Sequence, residues 1–171
     1  HRAGCRSHAR VAGCEEVNAP AAERRGGLDD VRHVARDEYL ATVKVLADEG
    51  YAMCIDLTCV DYLELPGRKL SDDAETAQRF EVVVNLLDMR HRRRVRLRVQ
   101  VPADDAVLPT LFDVHPGTEA MEREVFDMFG IEFADHPDLT RILMPEDWVG
   151  HPLRKDYEIG RIPVQFKGAN T

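Results

Sequence analysis

The sequence predicts an α+β fold: a small antiparallel or mixed sheet, helices packed on it, and an extended, turn-rich C-terminal segment. Three observations carry that expectation. Residues 94–101, RVRLRVQV, alternate strictly between charged or polar and apolar side chains, the period of a half-buried strand. Residues 118–130 space apolar side chains at helical intervals between Thr118 and Gly130. Residues 121–157 crowd together charged, aromatic, glycine and proline residues, including the single tryptophan, Trp148, and two His-Pro pairs.

A chain of 171 residues suits one domain and is long enough to bury a core. We divide it into a tail over 1–30, an α+β domain over 31–133 and an extended partner-docking segment over 134–171. The formal charge of −8 argues against general nucleic-acid binding. No apolar run reaches the roughly 18 residues of a membrane span, so membrane association would be peripheral or through a partner. Cys5, Cys14, Cys54 and Cys59 show neither CxxC spacing nor the density of a disulfide scaffold, which points to a reducing compartment. A start at His1 rather than Met reads as a trimmed chain or a fragment. Residues 1–14 carry Arg2, Arg6 and Arg10 without an acid, a faint transit-peptide character. Lacking an amphipathic face, residues 1–30 read as an ordinary disordered tail.

The first helix has Asp37 as its expected cap and Leu40, Val43, Leu46 and Ala47 as its apolar face. Gly50 stands where a left-handed C-terminal residue belongs. Residues 51–63 form a strand with Met53, Ile55, Leu57 and Cys59 on one side. Simple alternation sets Cys54 and Cys59 on opposite faces, as core cysteines rather than metal ligands. Residues 64–78 read as a long hairpin loop. Strands follow at 80–88 and 94–101, joined around Met89-Arg93, an antiparallel meander ended by Pro102. In the second strand Val95, Leu97, Val99 and Val101 face in, and Arg94, Arg96, Arg98 and Gln100 face out. That arginine face is solvated or paired within the chain, or it is a protein interface. Phosphate gripping is the weaker reading, because no aromatic side chains interleave with it as a stacking platform. Residues 104–115 are ambiguous, since Pro109 interrupts any helix and Leu108, Leu111, Phe112 and Val114 suit a short buried segment.

Pro116-Gly117 is a turn, and Thr118 is the expected cap of a helix running to Phe129, closed by Gly130. Met121, Val125 and Met128 make its apolar stripe, flanked by Phe126 and Phe129. Arg123 and Asp127 are one turn apart and able to pair, but in the less favourable order. Asp127 also sets negative charge at the negative end of the helix dipole. Something beyond the helix must use it: a backbone donor in the following turn, a local turn network, or a partner subunit. Each proline turns the following segment, and Trp148 and Tyr157 are rigid anchors. His136, His151, Asp135, Asp138, Glu146 and Asp147 offer donors to a metal, but HExxH-like helical spacing is absent. Glu122, Glu124, Asp127 and His136 offer no nucleophile and no paired-carboxylate geometry. Nor is there a GxGxxG, GxxxxGK[ST] or GxSxG motif. What remains is a rigid recognition surface.

The run EREVFDMFGI followed by HPDLTRILMPEDWVGHPLRKDY resembles the signature of the C subunit of the proton-translocating NADH:quinone oxidoreductase, respiratory complex I, of bacterial type. Weaker similarity reaches upstream through LTCVDYL and FEVVVNLLDMRHRRRVRLRVQVP, so the resemblance covers about residues 37–157. Motif positions fall on Glu122, Arg123, Glu124, Asp127, Phe129, Gly130, His136, Pro137, Asp138, Leu139, Arg141, Ile142, Leu143, Pro145, Trp148, Gly150, His151, Pro152, Leu153, Arg154, Lys155, Asp156 and Tyr157. Apart from Leu139, Ile142 and Leu143, these are the candidate partner-docking residues; no catalytic, cofactor-binding or metal residue is implied. Ala120 departs from the family, which usually has Trp there, and puts the packing of the helix start in question.

The resemblance implies a structural and assembly subunit of the quinone module, with no cofactor of its own. Iron–sulfur clusters, FMN and quinone would belong to partner subunits. Its partners would be the quinone-cavity subunit and the subunit with the terminal iron–sulfur cluster, peripheral to the cell membrane on the cytoplasmic side. The alternatives are a subunit of a related membrane-bound hydrogenase, ferredoxin or F420H2 dehydrogenase complex, or a free-standing anion-binding module using the Arg94–Arg98 face. Ala substitution of Trp148 or Arg154 is expected to harm assembly more than the fold.

Overall fold

A computed structural model describes residues 29–65, 67–68, 70 and 77–158. Its main sheet contains Asp29–Val34 (β1), Met53–Asp61 (β2), Phe80–Asp88 (β3) and Arg93–Val101 (β4), in the order β1-β4-β3-β2. β2, β3 and β4 form the antiparallel meander, while β1 runs parallel to β4. Tyr39–Asp48 (α1) carries the chain from the β1 edge to the β2 edge and buries Tyr39, Val43 and Leu46. After β4 come a short strand, Val107–Pro109 (β5), a 3-10 turn at Pro116–Thr118, the helix Glu119–Phe129 (α2) and the strand Glu132–Ala134 (β6). β5 and β6 pair in parallel as a second, two-stranded sheet.

The alternation read from β4 holds. Val95, Leu97, Val99 and Val101 are buried with Val82, Val84 and Leu86 of β3 in one core, which also takes up Val125, Met128 and Phe129 of α2. Each fully buried Val, Leu or Phe contributes about 1.5–3 kcal/mol through the hydrophobic effect. The polar face differs from simple solvation, because Gln100 and Glu81 are buried there. Glu81 accepts from Arg98 Nε at 2.8 Å, Arg68 Nη1 at 3.1 Å and Gln100 Nε2 at 2.6 Å. Arg96 Nε reaches Asn85 at 2.9 Å. At the far end of this hairpin, buried Asp88 accepts from the His91 backbone, His91 Nδ1 and Arg93. Led by the His91 backbone bond, these hold its carboxyl well below the usual carboxylate range.

Several expectations change. Residues 29 and 30, read as tail, begin β1; residues 1–28 lie outside the described residues. β2 carries a bulge between Cys54 and Asp56, where one extra residue reverses the alternation. Cys54 opposite Leu86 and Cys59 opposite Val82 therefore share the core face, while Met53 and Ile55 are exposed. The two thiols remain about five strand residues apart, on the order of 16 Å. Burial pushes each up to about 12, so they are inert core thiols. Glu38, not Asp37, occupies the cap position of α1, and no side chain caps it. Thr118 does precede α2, but its hydroxyl donates to the His115 carbonyl at 3.0 Å rather than capping the helix. Residues 64–78 do connect β2 to β3, although much of that loop is outside the described residues. Among the described residues no helix is long and apolar enough to cross a membrane.

Candidate functional site

The C-terminal segment folds back over the end of α2, and every carbonyl there finds a donor. Gly130, left-handed at φ 70°, closes the helix with its own N–H on the Phe126 carbonyl. The Asp127 carbonyl takes Arg141 Nη1 at 3.2 Å and His151 Nδ1 at 3.0 Å. The Met128 carbonyl takes the Leu153 N–H at 3.1 Å. Arg154 Nε reaches the Phe129 carbonyl at 2.5 Å and its Nη2 the Gly130 carbonyl at 3.3 Å. Two guanidinium groups thus sit at the negative end of the helix dipole, where cations are favoured. Arg154 also lies over the Phe80 ring, 5.3 Å from its centroid, tying the segment to β3.

Asp127 is the anchor of the loop. Fully buried, its Oδ2 accepts the N–H groups of Ile142, Leu143 and Met144 at 3.1, 2.8 and 2.8 Å, and its Oδ1 pairs with Arg141 at 2.5 Å. Burial alone would raise this carboxyl; the backbone donors, Met144 first, and Arg141 outweigh it and hold it below its ordinary range. The unfavourable helix position of Asp127 is thereby explained within the chain. Arg123 turns elsewhere, to Glu119 at 3.0 Å and to Thr140.

Glu122, also fully buried, takes the Thr110 hydroxyl at 2.5 Å and the Leu111 N–H at 2.8 Å. Here burial wins over those bonds and raises the carboxyl. Asp138 N–H donates to His136 Nδ1, so the other nitrogen carries the proton to the Glu119 carbonyl at 3.2 Å. His136 and His151 are therefore turn-forming histidines, and His151 is lowered chiefly by burial. Further on, Asp156 makes two bonds to Arg79, which also grips Asp61, while the Lys155 N–H donates to Asp61 at 2.9 Å. Gly150, at φ 92°, lies so close to Tyr157 that a Cβ there would come within 2.8 Å of its ring.

The candidate docking residues therefore divide. Glu122, Arg123, Asp127, Phe129, Gly130, His136, Arg141, Gly150, His151, Arg154, Asp156 and Tyr157 hold the chain to itself. Glu124, Pro137, Asp138, Pro145, Leu153 and Lys155 are exposed, and Trp148 and Pro152 are half-buried. Around them Ile142, Leu143 and Val149 are exposed, Val149 at 87%. Ala120 is exposed on the first turn of α2, so no core contact depends on its size. Sequence reasoning missed Thr110, Asp61, Arg79 and Phe80 as supports of this segment; distant in sequence and common in type, they carry no local signal. Among the described residues, no group of three or more His, Cys, Asp or Glu is disposed to hold a metal ion.

The family model described as "Respiratory-chain NADH dehydrogenase, 30 Kd subunit" matches residues 32–162. A Saccharopolyspora erythraea protein, named as the C subunit of NADH-quinone oxidoreductase, is 44% identical over 140 residues, 80% of this chain and 52% of that protein. Proteins of the same name from Nocardioides sp. and Mycolicibacterium gilvum are 40% and 42% identical, over 98% and 80% of this chain and 64% and 57% of theirs. The chain thus spans between about half and two thirds of the length of these relatives. Among solved structures, the trypsin-resistant fragment of Nqo5 superposes with a TM-score of 0.60 at 30% identity, covering 68% of this chain and 87% of that one. A chain of the membrane-bound sulfane sulfur reductase, an archaeal respiratory membrane complex, gives 0.62 at 20% identity over 80% and 76%, a likeness of fold alone.

Proposed function

This chain belongs to the family of the respiratory-chain NADH dehydrogenase 30 Kd subunit, and we propose that it braces the quinone module of a proton-translocating NADH:quinone oxidoreductase. It is a non-catalytic subunit with no redox centre, at the cytoplasmic side of the cell membrane. Electrons pass from NADH through FMN and iron–sulfur centres in other subunits to quinone. Its neighbours are the quinone-cavity subunit and the subunit bearing the terminal cluster. The relatives, named for NADH-quinone oxidoreductase, favour NADH as donor over the hydrogenase, ferredoxin or F420H2 alternatives.

One observation supports the bracing role most directly. The loop from Ile142 to Leu153 is fixed from beneath by Asp127 and Arg141, yet presents Ile142, Leu143, Val149 and Leu153 to the outside. A rigid loop loses little entropy on binding, so apolar side chains held on it make an efficient docking surface. The anion-binding alternative fares worse. Arg98 is committed to Glu81, and the Tyr62 ring is covered by the Arg68 guanidinium at 3.5 Å.

The test is Leu143→Asp and Val149→Asp in the cellular protein, with mildly extracted membranes resolved on native gels and assayed for NADH:quinone reductase activity. We expect an unchanged melting temperature of the chain itself and loss of the assembled complex. Normal assembly and activity in the double variant would defeat the proposal.

A further inference from the structure

Arg141 closes the docking loop at its base. Its Nη1 pairs with Asp127 and its Nη2 donates to the Gly150 carbonyl at 3.1 Å, so Arg141 and Gly150 bracket one short loop. At the tip the Trp148 N–H bonds back to the Pro145 carbonyl at 3.0 Å, which makes residues 145–148 a tight turn. Glu146 and Asp147 are the two middle residues of that turn. Both are exposed, and they stand in the chain between the exposed apolar side chains of Leu143 and Val149.

Charge in the surrounding segment is sorted by sign. From Glu119 to Glu158 the arginines are spent within the chain: Arg123 on Glu119 and Thr140, Arg141 on Asp127, and Arg154 on the Phe129 and Gly130 carbonyls. Lys155 is exposed, with its backbone pinned at Asp61, outside the loop. Glu124, Glu132, Asp135, Asp138, Glu146 and Asp147 are exposed as well, and their carboxylates enter no ion pair among the described residues. The apolar tip is thus presented together with uncompensated negative charge.

We propose that the loop docks on a neighbouring protein chain whose apolar contact surface is rimmed by arginine or lysine, with those cations closing on Glu146 and Asp147. The inference rests on the docking role of the loop and names the chemistry of its partner. Leu143 and Val149 cannot both be covered without bringing the turn between them to the interface. A carboxylate taken out of water without a counter-charge opposes binding, whereas one met by a cation at a wet rim fixes register and speeds encounter. Arginine suits the position best, because its planar group can meet a carboxylate with two nitrogens and also lie on the half-buried Trp148 ring. The same sign of charge turns away the two other large surfaces in a cell, anionic lipid headgroups and nucleic-acid phosphates.

A photo-crosslinking residue replaces Val149 in the full chain within the membrane-assembled complex, and adducts are mapped by mass spectrometry. The probe is expected to join a second protein within a few residues of an Arg or Lys. The same probe is then carried on Glu146→Lys with Asp147→Lys and on Glu146→Gln with Asp147→Asn. Charge reversal is expected to lower the adduct yield about tenfold and the neutral pair to lower it less. Neither carboxylate holds anything within the chain, so both variants are expected to melt as wild type. Adducts to a peptide without basic residues, to lipid, to nuclease-sensitive material or to the Arg90–Arg94 hairpin of a second copy would overturn the inference, as would an unchanged yield on charge reversal. If Leu143→Asp with Val149→Asp abolishes assembly while charge reversal leaves the yield unchanged, the inference about the partner's charge fails alone. If neither pair of changes affects assembly or adduct yield, the docking role of the loop fails with it.

Discussion

Arg141 closes on Asp127 twice: one guanidinium nitrogen lies 2.5 Å from the carboxylate and 3.2 Å from the carbonyl oxygen of the same residue. The carboxylate compensates the guanidinium, the guanidinium satisfies a helix-end carbonyl, and the other carboxylate oxygen collects three backbone N–H groups. Removing one partner leaves a buried charge without its counter-ion, which typically costs about 3–5 kcal/mol. Asp127→Ala should therefore lower the urea midpoint of the chain sharply. Asp127→Asn, which keeps an acceptor oxygen but not the charge, should fall between it and wild type. A variant that melts like wild type would show that the loop does not depend on this anchor.

Two carboxylates on α2 respond oppositely to pH. Asp127 is held below its ordinary range, so its stabilisation is present above the unfolded value, near pH 4, and is lost as pH falls through the folded one. Glu122 is raised, so folding is unpenalised below about pH 4.3 and loses stability as pH climbs from there through the folded value. Glu122→Gln preserves hydrogen bonding to Thr110 and Leu111 without the buried charge. It should melt at or above wild type at pH 7, with the difference shrinking towards pH 4. A variant less stable at pH 7 than at pH 4, relative to wild type, would contradict this.

How much of this was legible in the sequence depends on the range of the forces involved. β3, β4 and α2 were readable because their apolar side chains repeat at the period of the element itself. β1, DDVRHV, was not: it is an edge strand whose Arg32 pairs with Asp30 at 2.8 Å in place of apolar alternation. The bulge at Cys54/Asp56 left no local mark, and it reversed the inferred facing of Cys54 and Met53. In the C-terminal segment the density of unusual residues was visible, and Asp127 was recognisable as misplaced on its own helix. Its partners were not, since side chain-to-backbone bonds spanning 14 to 24 residues follow from no periodicity.

Gly130 combines a left-handed backbone with a crowded side. A Cβ there would meet His151 Nε2 at 2.5 Å and Arg154 Nη2 at 2.6 Å. The backbone alone costs about 1–2 kcal/mol for an L side chain, and displacing the two donors exposes the helix end further. Gly130→Ala should lose more stability than that backbone figure, whereas Gly117→Ala, where nothing lies within 4 Å of the new carbon, should be mild. Thermal melting of the two variants decides it; equal losses would mean the clasp yields freely.

Arg154 and Trp148, alike in the sequence as docking anchors, separate in the structure. Arg154 is spent inside the chain on two carbonyls and the face of Phe80, so its removal strands acceptors at a helix end, about 1–3 kcal/mol for each that is left unsatisfied. Arg154→Ala should therefore lower the melting temperature of the isolated chain itself, by roughly 2–4 °C for each kcal/mol lost in a domain of this size. Arg154→Lys, which restores a cation at the dipole but not the two-pronged geometry, should recover only part of it. Trp148 is half-buried on the outer loop, and Trp148→Ala should act mainly on assembly. If Arg154→Ala leaves the isolated chain's melting unchanged while abolishing assembly, the guanidinium serves a neighbour, and the clasp on α2 is held by Asp127, Arg141 and His151 without it.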